Sequence, residues 1–164
     1  MSKITAAYYS SPIGTIEVQE TDSIITAIHF VEQTDDSSVS TASATTAEAI
    51  QQLDEYFNGK RTGFDFSYKG QGTLFQQKVW TELENISYGK TATYKDIAAA
   101  LQDEKLVRAV GNANGKNPLA IVVPCHRIIG TGGKLTGYAG GLWRKQWLLE
   151  HEQKNSGSQL YLFG

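Results

Sequence analysis

The chain of 164 residues carries a net charge of −2 and is 40% hydrophobic, with three Trp, eight Tyr and six Phe. That suffices for one domain or two small ones with a packed core, and no run of eighteen apolar residues offers a membrane span. A single cysteine excludes an intramolecular disulfide. With no basic-then-apolar leader in MSKITAAYYSS, this points to a reducing, cytoplasmic setting.

Charge is unevenly spread. Residues 1–60 hold Lys3 and Lys60 against nine acids, a net of −7, whereas residues 105–145 hold seven cations and no acid, a net of +7. The second half is thereby suited to a polyanion.

In chain order, ITAAYY, TIEVQE and IITAIHF over residues 4–32 predict a β-meander with turns at SSPIG and DS. His29 stands alone on a strand pattern and reads as structural. QTDDSSVSTASATT (33–46) is polar and aperiodic, a loop. AEAIQQLDEYFNGK predicts a helix with Ile50, Leu53 and Phe57 on one stripe and Gly59 as its stop. FDFSY (64–68) predicts one more strand, and GQG (70–72) a boundary. The expected division is residues 1–70, residues 73–154 and a tail, 155–164.

Beyond the boundary, TLFQQKVWTELENI places Phe75, Val79 and Leu83 at helical spacing. Thr93 and Asp96 form a capping box that starts a short helix ending near Leu101. QDEK turns the chain, and LVRAVGNANG predicts a second short helix closed by Gly115. The pair reads as helix-turn-helix, a unit common both to DNA-binding proteins and to ordinary helical packing. LWRKQWLLEHEQK (142–154) predicts a last helix with Trp143, Trp147 and Leu148 in the core. No repeat, phosphate-cradling glycine motif or metal-ligand spacing is present.

The lone thiol, Cys125, lies in IVVPCHRIIG. A single cysteine is ordinarily a small buried hydrophobe, and the strand predicted for Ile121–Val123 suits that. Three features point instead to reactivity. Pro124 stops the strand at the cysteine, His126 offers a base, and Arg127 or Lys145 offers a cation that favours thiolate. In an extended strand Cys125 and His126 would face opposite ways, so cooperation requires a turn or a bridging water. Either Glu150 or Glu152 is available to orient the imidazole, about 200° apart on a helix. One Cys and one His are too few ligands for zinc.

PCHR (124–127), preceded by Asn117 and followed by GYAGG (137–141) and KQWLLEHE (145–152), resembles the methylated-DNA–protein-cysteine methyltransferases, from about Thr73 to Glu152. The resemblance implies an α+β fold, with an N-terminal ribonuclease-H-like antiparallel sheet domain and a C-terminal helical domain. It implies a monomer that binds double-stranded DNA through the minor groove and flips out an O6-alkylguanine. The alkyl group, or that of O4-alkylthymine, passes irreversibly to Cys125, without cofactor or metal. Carried over by position, Cys125 is the acceptor, His126 takes its proton through a water, and Glu152 orients His126. Asn117 holds the turn before the active-site segment, Lys145 favours the anion, and Tyr94 helps swing the phosphate and protonates guanine N3. Arg108 fills the gap left by the flipped base. The helix over about 106–115 enters the groove, its small residues Ala109, Gly111 and Ala113 permitting close approach. Tyr138 and Ala139 lie in the pocket loop, and the carbonyls of Cys125 and Ile128 receive the guanine amino group. Some relatives have Ser where this chain has Ala139. Relatives that act only as damage sensors lack the cysteine.

Overall fold

The computed structural model describes residues 3–32 and 43–156. These fall in two compact units, divided between Gln71 and Gly72. In the first, β1 (Ile4–Ser11), β2 (Gly14–Thr21) and β3 (Ile24–Phe30) form an antiparallel sheet in the order β1-β2-β3. Alternation turns Ala7, Ile16, Val18 and Ile28 to one buried face, and a register shift at Gln19/Glu20 lets Ile25 be buried as well; α1 (Ala44–Phe57) lies against all three strands, burying Ala49, Leu53, Tyr56 and Phe57.

α1 starts three residues before the sequence pattern suggested. Ser43 accepts from Thr46 N at 3.1 Å while its own N–H donates to Thr46 Oγ1 at 2.9 Å, a reciprocal cap that recruits polar residues from the expected loop. Residues 33–42 of that loop lie outside the described residues, as do residues 157–164 of the tail. Ile50 is only half-buried. Asn58 caps the end, and Gly59 follows at φ +73°, the left-handed conformation that glycine adopts without penalty.

The strand expected at 64–68 is not formed. A single bridge joins Ile25 to Tyr68, with Ile25 N–H donating to Ser67 O at 2.9 Å. Phe64, Phe66 and Tyr68 instead chain ring to ring at 5.8–5.9 Å, beginning from Tyr56 of α1. Aromatic contact shapes this segment more than a hydrogen-bond ladder does.

The second unit is helical. α2 (Leu74–Glu84) is capped by Thr73 and buries Val79, Trp80 and Leu83. α3 (Tyr94–Ala100) is capped by Thr93 with Asp96, and Gln102, at φ +67°, turns the chain. Asp103 caps a 3-10 turn, Glu104–Leu106, that runs into α4 (Val107–Gly115). The Trp80 indole N–H donates to Ala113 O at 2.8 Å and ties α2 to α4. Ala113 therefore faces the core, with Val110 and Asn114, and not the outer face expected of it.

No strand spans Ile121–Val123. Ile121 sits at φ +72°, Val122 N–H donates to Ala120 O at 2.8 Å and Val123 N–H to Leu119 O at 2.9 Å. The run is apolar because it is buried in a coil of tight turns. Cys125–Arg127 then forms one 3-10 turn. A two-residue parallel pairing, β4 (Ala92–Thr93) with β5 (Ile128–Ile129), sets the end of this segment beside the start of α3.

α5 (Leu142–Asn155) corrects the stripe read from sequence. Its buried residues are Lys145, Leu148, Leu149, Glu152 and Gln153, at i, i+3, i+4, i+7 and i+8. Trp143 is 58% exposed, with the Arg144 guanidinium 4.6 Å over its ring. Of the expected stripe Leu148 is buried, Trp147 half-buried and Trp143 outside, because the inner face also carries an ammonium and a carboxylate.

Candidate active site

Cys125 is buried, and its place is set by Asn117. The Asn117 amide nitrogen donates to Val123 O at 2.8 Å and Leu119 O at 3.4 Å, and its oxygen accepts from Leu119 N–H at 3.0 Å. One side chain thus closes the turns leading to the thiol and does the work of an absent strand ladder. The 3-10 turn answers the geometric objection raised by a strand, because successive side chains there no longer point to opposite faces.

Burial pushes the Cys125 thiol above its ordinary pKa, and this outweighs the opposing pull of the Asn117 hydrogen bond and the Lys145 charge. The cations do not by themselves produce a resting thiolate, so a base is required. Lys145 is fully buried, and burial brings its pKa down to about 8 against the pull of Cys125. Its ammonium donates to Thr136 O at 2.8 Å.

His126 is fully buried, with Nε2 2.7 Å from Glu152 Oε2. A carboxylate at that distance accepts a hydrogen bond from Nε2–H, so Nδ1 carries the lone pair; Nδ1 meets no hydrogen-bond partner among the described residues. Burial lowers the His126 pKa, as do the Arg127 and Lys145 charges, while Glu152 opposes them. The result is a neutral imidazole, able to accept a proton.

Arg127, left open between cation and scaffold by the sequence, points at Glu152 rather than at the thiol. Nε donates to Oε1 at 2.8 Å and Nη2 to Oε2 at 3.1 Å, a planar fork on a carboxylate. Nη1 donates to Ile86 O at 2.6 Å, and the guanidinium stands 5.7 Å from the Tyr88 ring centre. Gly89 N–H adds a longer bond to Glu152 Oε1 at 3.4 Å. Burial alone would raise the Glu152 pKa, but His126 and Arg127 hold it far below the usual carboxylate range. Adjacency to His126 was the only signal for Arg127 in the sequence; Ile86, Gly89 and Thr136 gave none. Glu150 is exposed on the opposite side of α5.

Tyr94 opens α3, with its hydroxyl 2.6 Å from Thr136 Oγ1. A Cβ on Gly111 would lie 3.7 Å from the Tyr94 ring, so α4 approaches that ring with no side chain between. Arg108 is exposed on α4 and Ala109 half-buried beside it. Burial drives the Tyr138 pKa well up, with Cys125 and Glu152 adding to the rise and Arg144 opposing it. Ala139 is exposed. Ile128 is fully buried, and its N–H donates to Cys125 O, leaving that carbonyl one further lone pair. The structure thus gathers Cys125, Asn117, Lys145 and Tyr138 at the thiol, His126 and Glu152 beside it, and Tyr94 across Thr136 from Lys145; Arg108, Ala109 and Ala139 lie outside these contacts. Among the described residues no cluster of three or more His, Cys, Asp or Glu is arranged to hold a metal, and no helix is long and apolar enough to cross a membrane.

Residues 74–154 match the 6-O-methylguanine DNA methyltransferase DNA binding domain, and residues 4–68 the ribonuclease-like domain of the same family. A methylated-DNA–protein-cysteine methyltransferase of Mycolicibacterium paratuberculosis is 46% identical over 156 residues, which cover 93% of this chain and 94% of that one. The crystal structure of Mycobacterium tuberculosis O6-methylguanine methyltransferase superposes with a TM-score of 0.85 at 41% identity, over 99% of this chain and 100% of that one. The M. tuberculosis protein solved in complex with DNA gives 0.83 at 43% identity, over 97% and 99%. The chain belongs to the methylated-DNA–protein-cysteine methyltransferase family.

Proposed function

We propose that this protein repairs alkylated DNA by moving the alkyl group of O6-alkylguanine onto Cys125, with O4-alkylthymine as a second substrate. The observation that carries the assignment is a sole, buried thiol beside a neutral histidine whose other nitrogen is fixed by a carboxylate. Displacement at an alkyl carbon needs a soft nucleophile, and thiolate is the softest that side chains supply. The Cys125 proton passes through a water to His126 Nδ1. Sγ then attacks the alkyl carbon and the carbon–O6 bond breaks. Guanine N3 takes a proton from Tyr94 as the base leaves, and Lys145 offsets the thiolate charge meanwhile.

The O6 atom of a stacked, paired guanine is out of reach, so the nucleotide is turned out of the duplex at a cost of a few kcal/mol. The exposed Arg108 fills the gap, and α4 lies in the minor groove, where Ala109 and Gly111 allow close approach. Tyr138, Ala139 and the Cys125 and Ile128 carbonyls line the base pocket. A relative solved with DNA and the +7 segment both support duplex binding. The protein acts as a cytoplasmic monomer. Nothing cleaves the thioether to regenerate the thiol, so each molecule works once and needs no cofactor.

The test is intact mass after incubation with a duplex carrying O6-methylguanine. A gain of one methyl group, mapped to Cys125 and absent from Cys125→Ala, is expected. No gain, or repair of more than one lesion per protein molecule, rejects the assignment.

A further inference from the structure

Thr136 lies two residues before Tyr138, in the loop leading to α5, outside every motif read from the sequence. Three parts of it are engaged at once. Oγ1 is 2.6 Å from Tyr94 Oη at the start of α3. The carbonyl accepts from the buried Lys145 ammonium at 2.8 Å. Cγ2 covers Gly130, where an added Cβ would meet it at 3.1 Å. A single residue of the loop therefore joins Tyr94 to the lysine whose charge acts on the thiol, and a glycine at 130 leaves the space that its methyl occupies.

We propose that Thr136 is a positioning residue for the proton-donating side of alkyl transfer: its hydroxyl holds the Tyr94 phenol and donates to the phenol oxygen as that proton leaves. This rests on the reading of Tyr94 as the donor to guanine N3. In the resting pair either hydroxyl can be the donor. Once Tyr94 has given up its proton, only Thr136 has one to give, and a hydrogen bond made to the charged form favours that form. The balance is complete. The Sγ–carbon bond forms, the carbon–O6 pair withdraws into the purine, and N3 takes the Tyr94 proton. The phenolate then recovers a proton from solvent, to which His126 returns the one taken from the thiol. The Thr136 carbonyl, held by Lys145, keeps the hydroxyl at its station through the step.

The experiment measures single-turnover transfer from a single-stranded oligonucleotide carrying O6-methylguanine, where duplex opening does not contribute. Thr136→Val and Thr136→Ala both remove the hydroxyl, the first filling its space and the second emptying it. Thr136→Ser keeps it. Val and Ala are expected to slow transfer alike, on the order of tenfold, with Ser restoring the rate. In a Tyr94→Phe background the Val and Ala substitutions are expected to cost less than about twofold, since coupled groups are not additive. Wild-type rates for Val and Ala, failure of Ser to restore the rate, or an undiminished loss in the Tyr94→Phe background overturns the role of Thr136 alone. A wild-type rate for Tyr94→Phe itself overturns the reading of Tyr94 and the proposal with it.

Discussion

Among the described residues stand two histidine–glutamate pairs, and they are built to different ends. His29 and Glu17 meet at 3.0 Å on the sheet of the first unit, with side chains 46% and 16% exposed. His126 and Glu152 meet at 2.7 Å in the second, at 0% and 1%. Glu17 takes its other hydrogen bonds from neutral donors, Tyr8 and Gln19, both at 2.7 Å. Glu152 takes its own from a guanidinium fork and a backbone N–H. The same two residue types thus give a solvated strand pair in one unit and a dry, fixed imidazole in the other. Water exclusion and the Arg127 guanidinium make the difference, because an unbalanced charge is tolerated at the surface and not in the interior.

The largest separation between the pairs is expected on removing the acid. Glu152→Ala strands a buried guanidinium and is expected to cost about 3–5 kcal/mol, whereas Glu17→Ala is expected to cost less than about 1 kcal/mol. Urea unfolding measures both, and equal losses would erase the distinction. Next comes Arg127→Gln, which keeps donors and removes charge. Glu152 then acts on His126 less opposed, with Lys145 the remaining cation, so the His126 pKa rises. The acid limb of the transfer rate is expected to move to higher pH, with transfer at neutral pH slower on the order of tenfold. An unshifted limb would mean that Arg127 serves only to pack.

Acid is expected to act through the buried pair, with the lowered carboxyl of Glu17 adding a share on the sheet. Glu152 has a folded pKa below its unfolded value near 4.5, so its contribution is fully present above that pH and is lost as pH falls below it. His126 is also lowered, from near 6.5; the unfolded chain therefore binds its proton first, and stability declines in the same direction from about that pH. Melting temperature against pH should fall in two stages, below about 6.5 and below about 4.5, and Glu152→Gln should shrink the lower stage. The smallest effect is expected from His29→Ala, with melting shifted by less than about 4 °C and transfer unchanged; a loss of transfer would assign that pair a role its exposure does not suggest.

Much of this site could be read in the sequence, and where it could not the reason is physical. Capping residues and strand alternation are local signals, so the meander, α2 and α3 emerged close to their observed bounds. The Ser43–Thr46 cap uses a threonine where a longer acid or amide is usual, and α1 therefore looked shorter than it is. Ile121–Val123 looked like a strand because burial and extension leave the same apolar trace; the turn there depends on the Asn117 amide, which no pattern of hydrophobicity records. The inner face of α5 was hidden for the opposite reason, since its central residues are Lys145 and Glu152. The Glu150 or Glu152 choice was open from spacing alone and closed only by the resemblance, while the fork of Arg127 on Glu152 needed three dimensions.

The Asn117 amide has a consequence in time. Asparagine ages by attack of the following residue's backbone nitrogen on the side-chain carbonyl, which turns amide into acid. Here that change would replace a donor of two hydrogen bonds by an acceptor and release the turns that lead to Cys125. The following residue is Pro118, whose nitrogen carries no hydrogen and cannot close that ring. An acceptor that acts only once has its waiting period as its working life, and the hinge on which its thiol depends is chemically shielded against that wait.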